Sequence, residues 1–134
     1  MPTVKSDTLS LRSEQDIVNV RQVVRKLAQE CGFSLVEQTK MVTAASELAR
    51  NTVTYGKGGD VLWEMLTEGL KKGLRLSFVD AGPGIPDLEL ALTDGWTSGG
   101  GMGLGLSGAK RLVNEFEIET APGKGTRVTI LRWK

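Results

Sequence analysis

The apolar residues of this chain hold a helical period from about residue 17 to about residue 55, and just beyond it the period changes to two. The break falls at Gly56-Lys57-Gly58-Gly59. Upstream, Ile17, Val20, Val24, Leu27, Ala28 and Cys31 recur at steps that place them on one stripe of a helix. Ser13 stands where an N-cap belongs, and Gly32 where a C′ residue belongs. Ser34-Leu35-Val36-Glu37 reads as a capping box opening a second helix that runs to about Tyr55. Met41, Ala44, Ala45, Leu48, Ala49 and Thr52 form its inner side. Each element has one apolar face to bury, so a chain that changes period in this way lays helices against a sheet.

The alternating half sets out that sheet. Val61, Trp63 and Met65 alternate with Leu62, Glu64 and Leu66. Lys71-Lys72-Gly73 is expected to turn the chain into a strand carrying Leu74, Leu76 and Phe78 and ending at Asp80. Residues 86–100 have no clear period, end in a Ser98-Gly99-Gly100-Gly101 run, and read as a flap. A third helix is expected from near Gly103 to near Glu115, then a strand with Phe116, Ile118 and Thr120. Pro122-Gly123-Lys124-Gly125 turns into a closing strand with Val128 and Ile130, and residues 8–12 give a short first strand. The expected fold is an α/β (α+β) two-layer sandwich, with helices on one face of a mixed sheet. It forms one domain over residues 1–134, with no linker or repeat.

Composition narrows the function. A formal charge of +1 gives no reason to expect nucleic acid or a membrane surface as partner. No apolar run approaches the roughly 20 residues of a bilayer span. The chain has no histidine, which excludes histidine catalysis, histidine metal ligands and a phosphohistidine relay within it. Its single cysteine, Cys31, has no internal disulfide partner and fits a helix face in a reducing cytoplasm.

Three local patterns carry chemistry, and each has a plainer reading. Glu47 and Asn51 are four apart on a helix whose neighbours are apolar. They are either a solvated stripe or a proton acceptor one turn from an amide oxygen suited to Mg2+. Asp80 enters Ala81-Gly82-Pro83-Gly84-Ile85. It is either an ordinary strand-to-loop residue or an acceptor for an exocyclic amine such as that of adenine, with Gly82 and Gly84 clearing space for the base. Gly101-Met102-Gly103-Leu104-Gly105 is either a flexible loop or a phosphate cradle opening a helix. The spacing of Gly103, Gly105 and Gly108 also fits a dinucleotide fingerprint, but no strand precedes it. Together the three patterns suggest Mg-ATP.

The four segments Glu47–Asn51, Asp80–Ile85, Gly101–Leu106 and Gly125-Thr126 resemble, in that order, the motifs of the GHKL ATPase superfamily with its Bergerat fold. Three stretches bring the likeness closer to the small bacterial anti-sigma-factor serine/threonine kinases, the stressosome switch kinases among them. They are Ser46–Asn51, Gly82–Asp87 and Gly105–Leu112. The resemblance implies ATP and Mg2+ as cofactors. Glu47 would be the catalytic base, Asn51 the Mg2+ ligand, and Asp80 and Thr126 adenine contacts. Gly82 and Gly84 would line the base, while Gly101, Gly103, Leu104 and Gly105 would approach the phosphates. Arg50 would touch a phosphate or pair with an acid. The implied substrates are Ser or Thr hydroxyls on STAS-domain scaffold or antagonist proteins. The released kinase would then activate a signalling enzyme such as a PPM-type phosphatase, in the cytoplasm; a homodimer stays open. The alternative is a nucleotide-gated module or an anti-sigma factor with little chemistry of its own.

Overall fold

The computed structural model describes residues 3–82, 105–120 and 123–134. Strand β1 is Thr3–Leu11, helix α1 is Glu14–Glu30 and helix α2 is Leu35–Thr54. Strands β2, Gly59–Glu68, and β3, Lys71–Asp80, form a hairpin. After the undescribed stretch come helix α3, Gly105–Arg111, and strands β4, Glu115–Thr120, and β5, Thr126–Trp133.

Both long helices begin where the sequence places them. Ser13 caps α1, its hydroxyl accepting the Asp16 N–H at 3.2 Å. Ser34 and Glu37 close a full capping box on α2, each side chain accepting the other's backbone N–H. Gly32 ends the first helix in the left-handed region at φ +80°. The α1 stripe is buried from Ile17 to Cys31, and so is the α2 inner side from Met41 to Thr52. These stripes meet Val61, Leu74, Leu76, Phe78, Val128 and Ile130 from the sheet in one core. Trp63 packs against the edge of that core, and the Trp133 ring lies over Gly73, so both are packing residues.

The sheet has the order β1-β2-β3-β5-β4, and every described pairing is antiparallel, which corrects the expectation of a mixed sheet. Two helices separate β1 from β2, so the chain reverses three times and enters β2 antiparallel to β1. Three boundaries also move. The first strand starts at Thr3, because pairing with β2 extends it well beyond residues 8–12. The turn expected at Lys71-Lys72-Gly73 lies at Gly69-Leu70, where Gly69 takes φ +63°; the two lysines already pair with Glu68 and Thr67. The third helix stops at Arg111, because Glu115 is claimed by β4 opposite Leu131. The expected flap at 86–100 and the helix start at Gly103 lie outside the described residues.

On the far face of the sheet, away from the helices, the strands carry their own pairs. Arg75 holds Glu64 in a two-pronged ion pair at 2.8 and 2.9 Å. This pair keeps the Glu64 carboxyl below its ordinary range, and Arg75 above its own. Cys31 is buried in the core and its thiol is pushed up to about 11 by that burial, so it is a poor nucleophile. No described helix is long and apolar enough to cross a membrane.

Candidate functional site

One end of the sheet gathers the sequence-selected residues. The register runs Gly59 to Asp80 across β2 and β3, Asp80 to Thr126 across β3 and β5, and Thr126 to Thr120 across β5 and β4. Asp80 and Thr126, 46 positions apart in the chain, thus become direct cross-strand neighbours. Both share the parity of Phe78 and Val128, whose side chains enter the core beneath the helices, so both sit on the helix-bearing face.

The end of α2 meets this row. The Asn51 carbonyl accepts the N–H groups of both Tyr55 and Gly56, at 2.9 and 3.0 Å, and so turns the chain out of the helix. Gly56 then lies directly against Asp80. A Cβ at Gly56 would stand 2.4 Å from Asp80 Cγ and 2.5 Å from its Oδ2, closer than any side chain tolerates. The Gly56 backbone also abuts Gly82, whose N–H donates to Asp80 Oδ1 at 2.9 Å. That bond fixes the carboxylate and leaves Oδ2 without a hydrogen bond from the described residues. Gly125 closes the row from the other side, at φ +79°, where a Cβ would be 2.2 Å from the Asp80 carbonyl oxygen. The result is a half-buried carboxylate floored by backbone, beside the Thr126 hydroxyl.

Glu47 and Asn51 are half-buried on α2, one turn apart, and neither side chain bonds or pairs with a described residue. Between them lies Leu48, fully in the core, which anchors the helix face that presents both. Arg50 is exposed and faces Glu14 of α1 at 3.5 Å, the acid-pairing role of its two expected ones. Helix α3 packs on α2 and sends Leu106 and Ala109 into the core. Gly105 opens it, whereas Gly84, Gly101, Gly103 and Leu104 lie outside the described residues.

Two participants were not singled out from the sequence. Gly56 looked like part of a plain glycine loop, and its contact with Asp80 appears only once β3 returns beside α2. Thr120 looked like a strand residue. Its position six before Thr126 across a hairpin turn was the available signal, since such spacing makes the two residues face each other.

The chain is similar to proteins of one kind. The family described as histidine kinase-, DNA gyrase B-, and HSP90-like ATPase matches residues 36–134, a span that holds all the site residues above. A serine/threonine-protein kinase, RsbT of Bacillus subtilis, is 42% identical over 123 residues, covering 92% of both chains. An anti-sigma F factor of Thermoanaerobacter is 28% identical over 129 residues, covering 92% of this chain and 89% of its own. Among solved structures, the RsbU and RsbW domains of Rv1364c from Mycobacterium tuberculosis superpose with a TM-score of 0.65 at 22% identity, covering 96% of this chain and 32% of that one. A mycobacterial sensor histidine kinase, MprB, superposes at 0.57 and 16% identity, covering 96% and 97%. With the Asp80–Thr126 row, the Glu47–Asn51 helix face and this match over most of its length, the chain belongs to the histidine kinase-, DNA gyrase B-, and HSP90-like ATPase family.

Proposed function

We propose that this protein is an ATP-dependent protein serine/threonine kinase of a bacterial partner-switching pathway, with residues 1–134 acting as a single ATP-binding domain. The observation that carries the reading is the half-buried Asp80 carboxylate, pinned through Oδ1 and with no hydrogen bond to Oδ2 from the described residues, beside Thr126 on a floor of glycine backbone. Such a floor accepts a flat base, and a carboxylate acceptor there recognises an amino group and rejects a carbonyl. The 42% identity to RsbT over 92% of both chains supports the kinase reading in particular.

Mg2+ fits the residues present as a partner of nucleotide rather than as a resident ion. Among the described residues no cluster of three or more Cys, Asp or Glu side chains stands ready to hold a metal. Asn51 supplies one amide oxygen without a partner among the described residues, near the end of a helix with no basic residue in its last turn. A helix C-terminus favours a cation, and Mg2+ is normally held by one or two protein oxygens together with phosphates and waters. When bound, the ion offsets phosphate charge. Glu47, one turn away, has a carboxylate engaged by no described residue, which accepts the proton of an incoming Ser or Thr hydroxyl. Asp80, Thr126, Gly82 and Gly84 hold the base, and Gly101, Gly103, Leu104 and Gly105 approach the phosphates through backbone.

The substrates in this reading are STAS-domain scaffold or antagonist proteins. The downstream partner is a signalling enzyme of the PPM-phosphatase kind, and the setting is the cytoplasm. A second reading, a nucleotide-gated anti-sigma factor, draws on the 28% identity to an anti-sigma F factor. Incubation with labelled Mg-ATP and unphosphorylated STAS-domain proteins encoded beside this chain separates the two. Label on a serine or threonine supports the kinase. ATP binding without label supports the anti-sigma reading.

A further inference from the structure

Among its contacts, the hydroxyl of Thr120 meets the Gly125 carbonyl oxygen at 3.1 Å and Thr126 Oγ1 at 2.9 Å. A carbonyl only accepts, and a hydroxyl has one proton to give. Thr120 therefore donates to Gly125, and the bond between the two threonines takes its proton from Thr126. The Thr126 proton points along the sheet toward β4, and its lone pairs are left for whatever lies above the row. Asp80, the next member of that row, offers a carboxylate oxygen and so also only accepts.

We infer that Thr120 is a positioning residue that makes Thr126 an acceptor, so that the row selects a purine with an amino group at position 6 over one with a carbonyl there. The inference rests on the base-binding role proposed for Asp80 and Thr126. A lone threonine hydroxyl turns its proton to suit either ligand and discriminates little. A threonine whose proton is already committed to a neighbour accepts only, and a carbonyl oxygen brought to it meets lone pairs on both sides. The Gly125 carbonyl acts as the end stop of this relay, held in place by the left-handed turn at Gly125 and by the close approach of Asp80.

ATP and inosine triphosphate differ at position 6 of the base, so their affinities, measured by calorimetry on the full chain, test the inference. Thr120→Val is expected to lower ATP affinity about 3- to 10-fold, the usual worth of one well-placed hydrogen bond. Inosine triphosphate affinity stays constant or rises, so the ratio of the two falls by at least the same factor. Thr120→Ser, which keeps the hydroxyl, restores the wild-type ratio. Thr120→Ala carries the same expectation as valine with a smaller side chain, should valine lower the thermal midpoint. Equal losses for both nucleotides in the hydroxyl-free variants, or no change in either, would overturn the inference by reducing Thr120 to a turn-stabilising residue. Asp80→Asn, run alongside, keeps the two levels apart. If it binds ATP as the wild type does, the base-binding role itself fails; if it loses ATP while the Thr120 variants keep the wild-type ratio, only the positioning role fails.

Discussion

The two ends of helix α2 are built by opposite rules. At its start, the polar side chains engage the backbone: Ser34 and Glu37 exchange backbone hydrogen bonds at 3.1 and 2.8 Å, and the Gln38 side-chain amide donates to the Phe33 carbonyl at 3.0 Å. The Ser34 N–H holds the Glu37 carboxyl below its ordinary range. At its end, one carbonyl takes two N–H groups, Lys57 adopts a left-handed φ of 60°, and Glu47 and Asn51 have no described partner. The same twenty-residue helix thus fastens the fold at one end and leaves reactive groups unengaged at the other. Groups that bind a ligand must be kept from satisfying one another, and the buried stripe between the two ends holds them in place.

This contrast predicts that substitutions at the two ends separate activity from stability. The largest effect belongs to the open end. Glu47→Ala is expected to lower phosphoryl transfer by about 10²- to 10⁴-fold, as loss of a general base does, with ATP affinity and unfolding midpoint unchanged. Leu48→Ala, at the joint between the ends, is expected to cost roughly 2–5 kcal/mol in denaturant unfolding, because it empties a fully buried site. A cost well under 1 kcal/mol would mean that this stripe does not anchor the helix. Asp80→Asn comes next, with ATP affinity expected to fall about 10- to 100-fold through loss of a charged acceptor. Calorimetry giving an affinity equal to the wild type would contradict the adenine role.

The smallest effect belongs to the closed end. Ser34→Ala is expected to cost about 1 kcal/mol of stability with phosphoryl transfer unchanged. The same capping box has a pH signature. Its carboxyl titrates lower folded than unfolded, so its contribution is complete above the ordinary glutamate value of 4.5 and is lost as pH falls through the lowered folded value. Unfolding curves of Glu37→Gln should lose that acid dependence. A variant with the wild-type acid profile would show that other carboxylates set it.

The same contrast marks how far the sequence could be read. The closed end was legible residue by residue, because caps and stripes are local: Ser13, Ser34, Glu37 and the residues from Ile17 to Thr52 all stand where their spacing put them. Strand alternation was equally local and located β2, β3, β4 and β5. The strand directions carry no local mark, since they depend on which strands become neighbours, and the antiparallel pairings exist only in the assembled sheet. The β1 strand was under-read because Lys5, Ser6 and Asp7, just before the expected start at residue 8, have no apolar alternation; its pairing with β2 decides its length. At the site, Asp80 and Thr126 were found separately, whereas their adjacency, the Gly56 floor and the Thr120 relay exist only across strands.

The most direct test of the central claim is a single-turnover transfer of label from Mg-ATP to an unphosphorylated STAS-domain protein, with wild type and Glu47→Ala compared at equal bound nucleotide. The account predicts label on serine or threonine with the wild type and little or none with the variant. Equal transfer by both would contradict it, because the Glu47 carboxylate, which no described residue engages, would then have no part in the reaction.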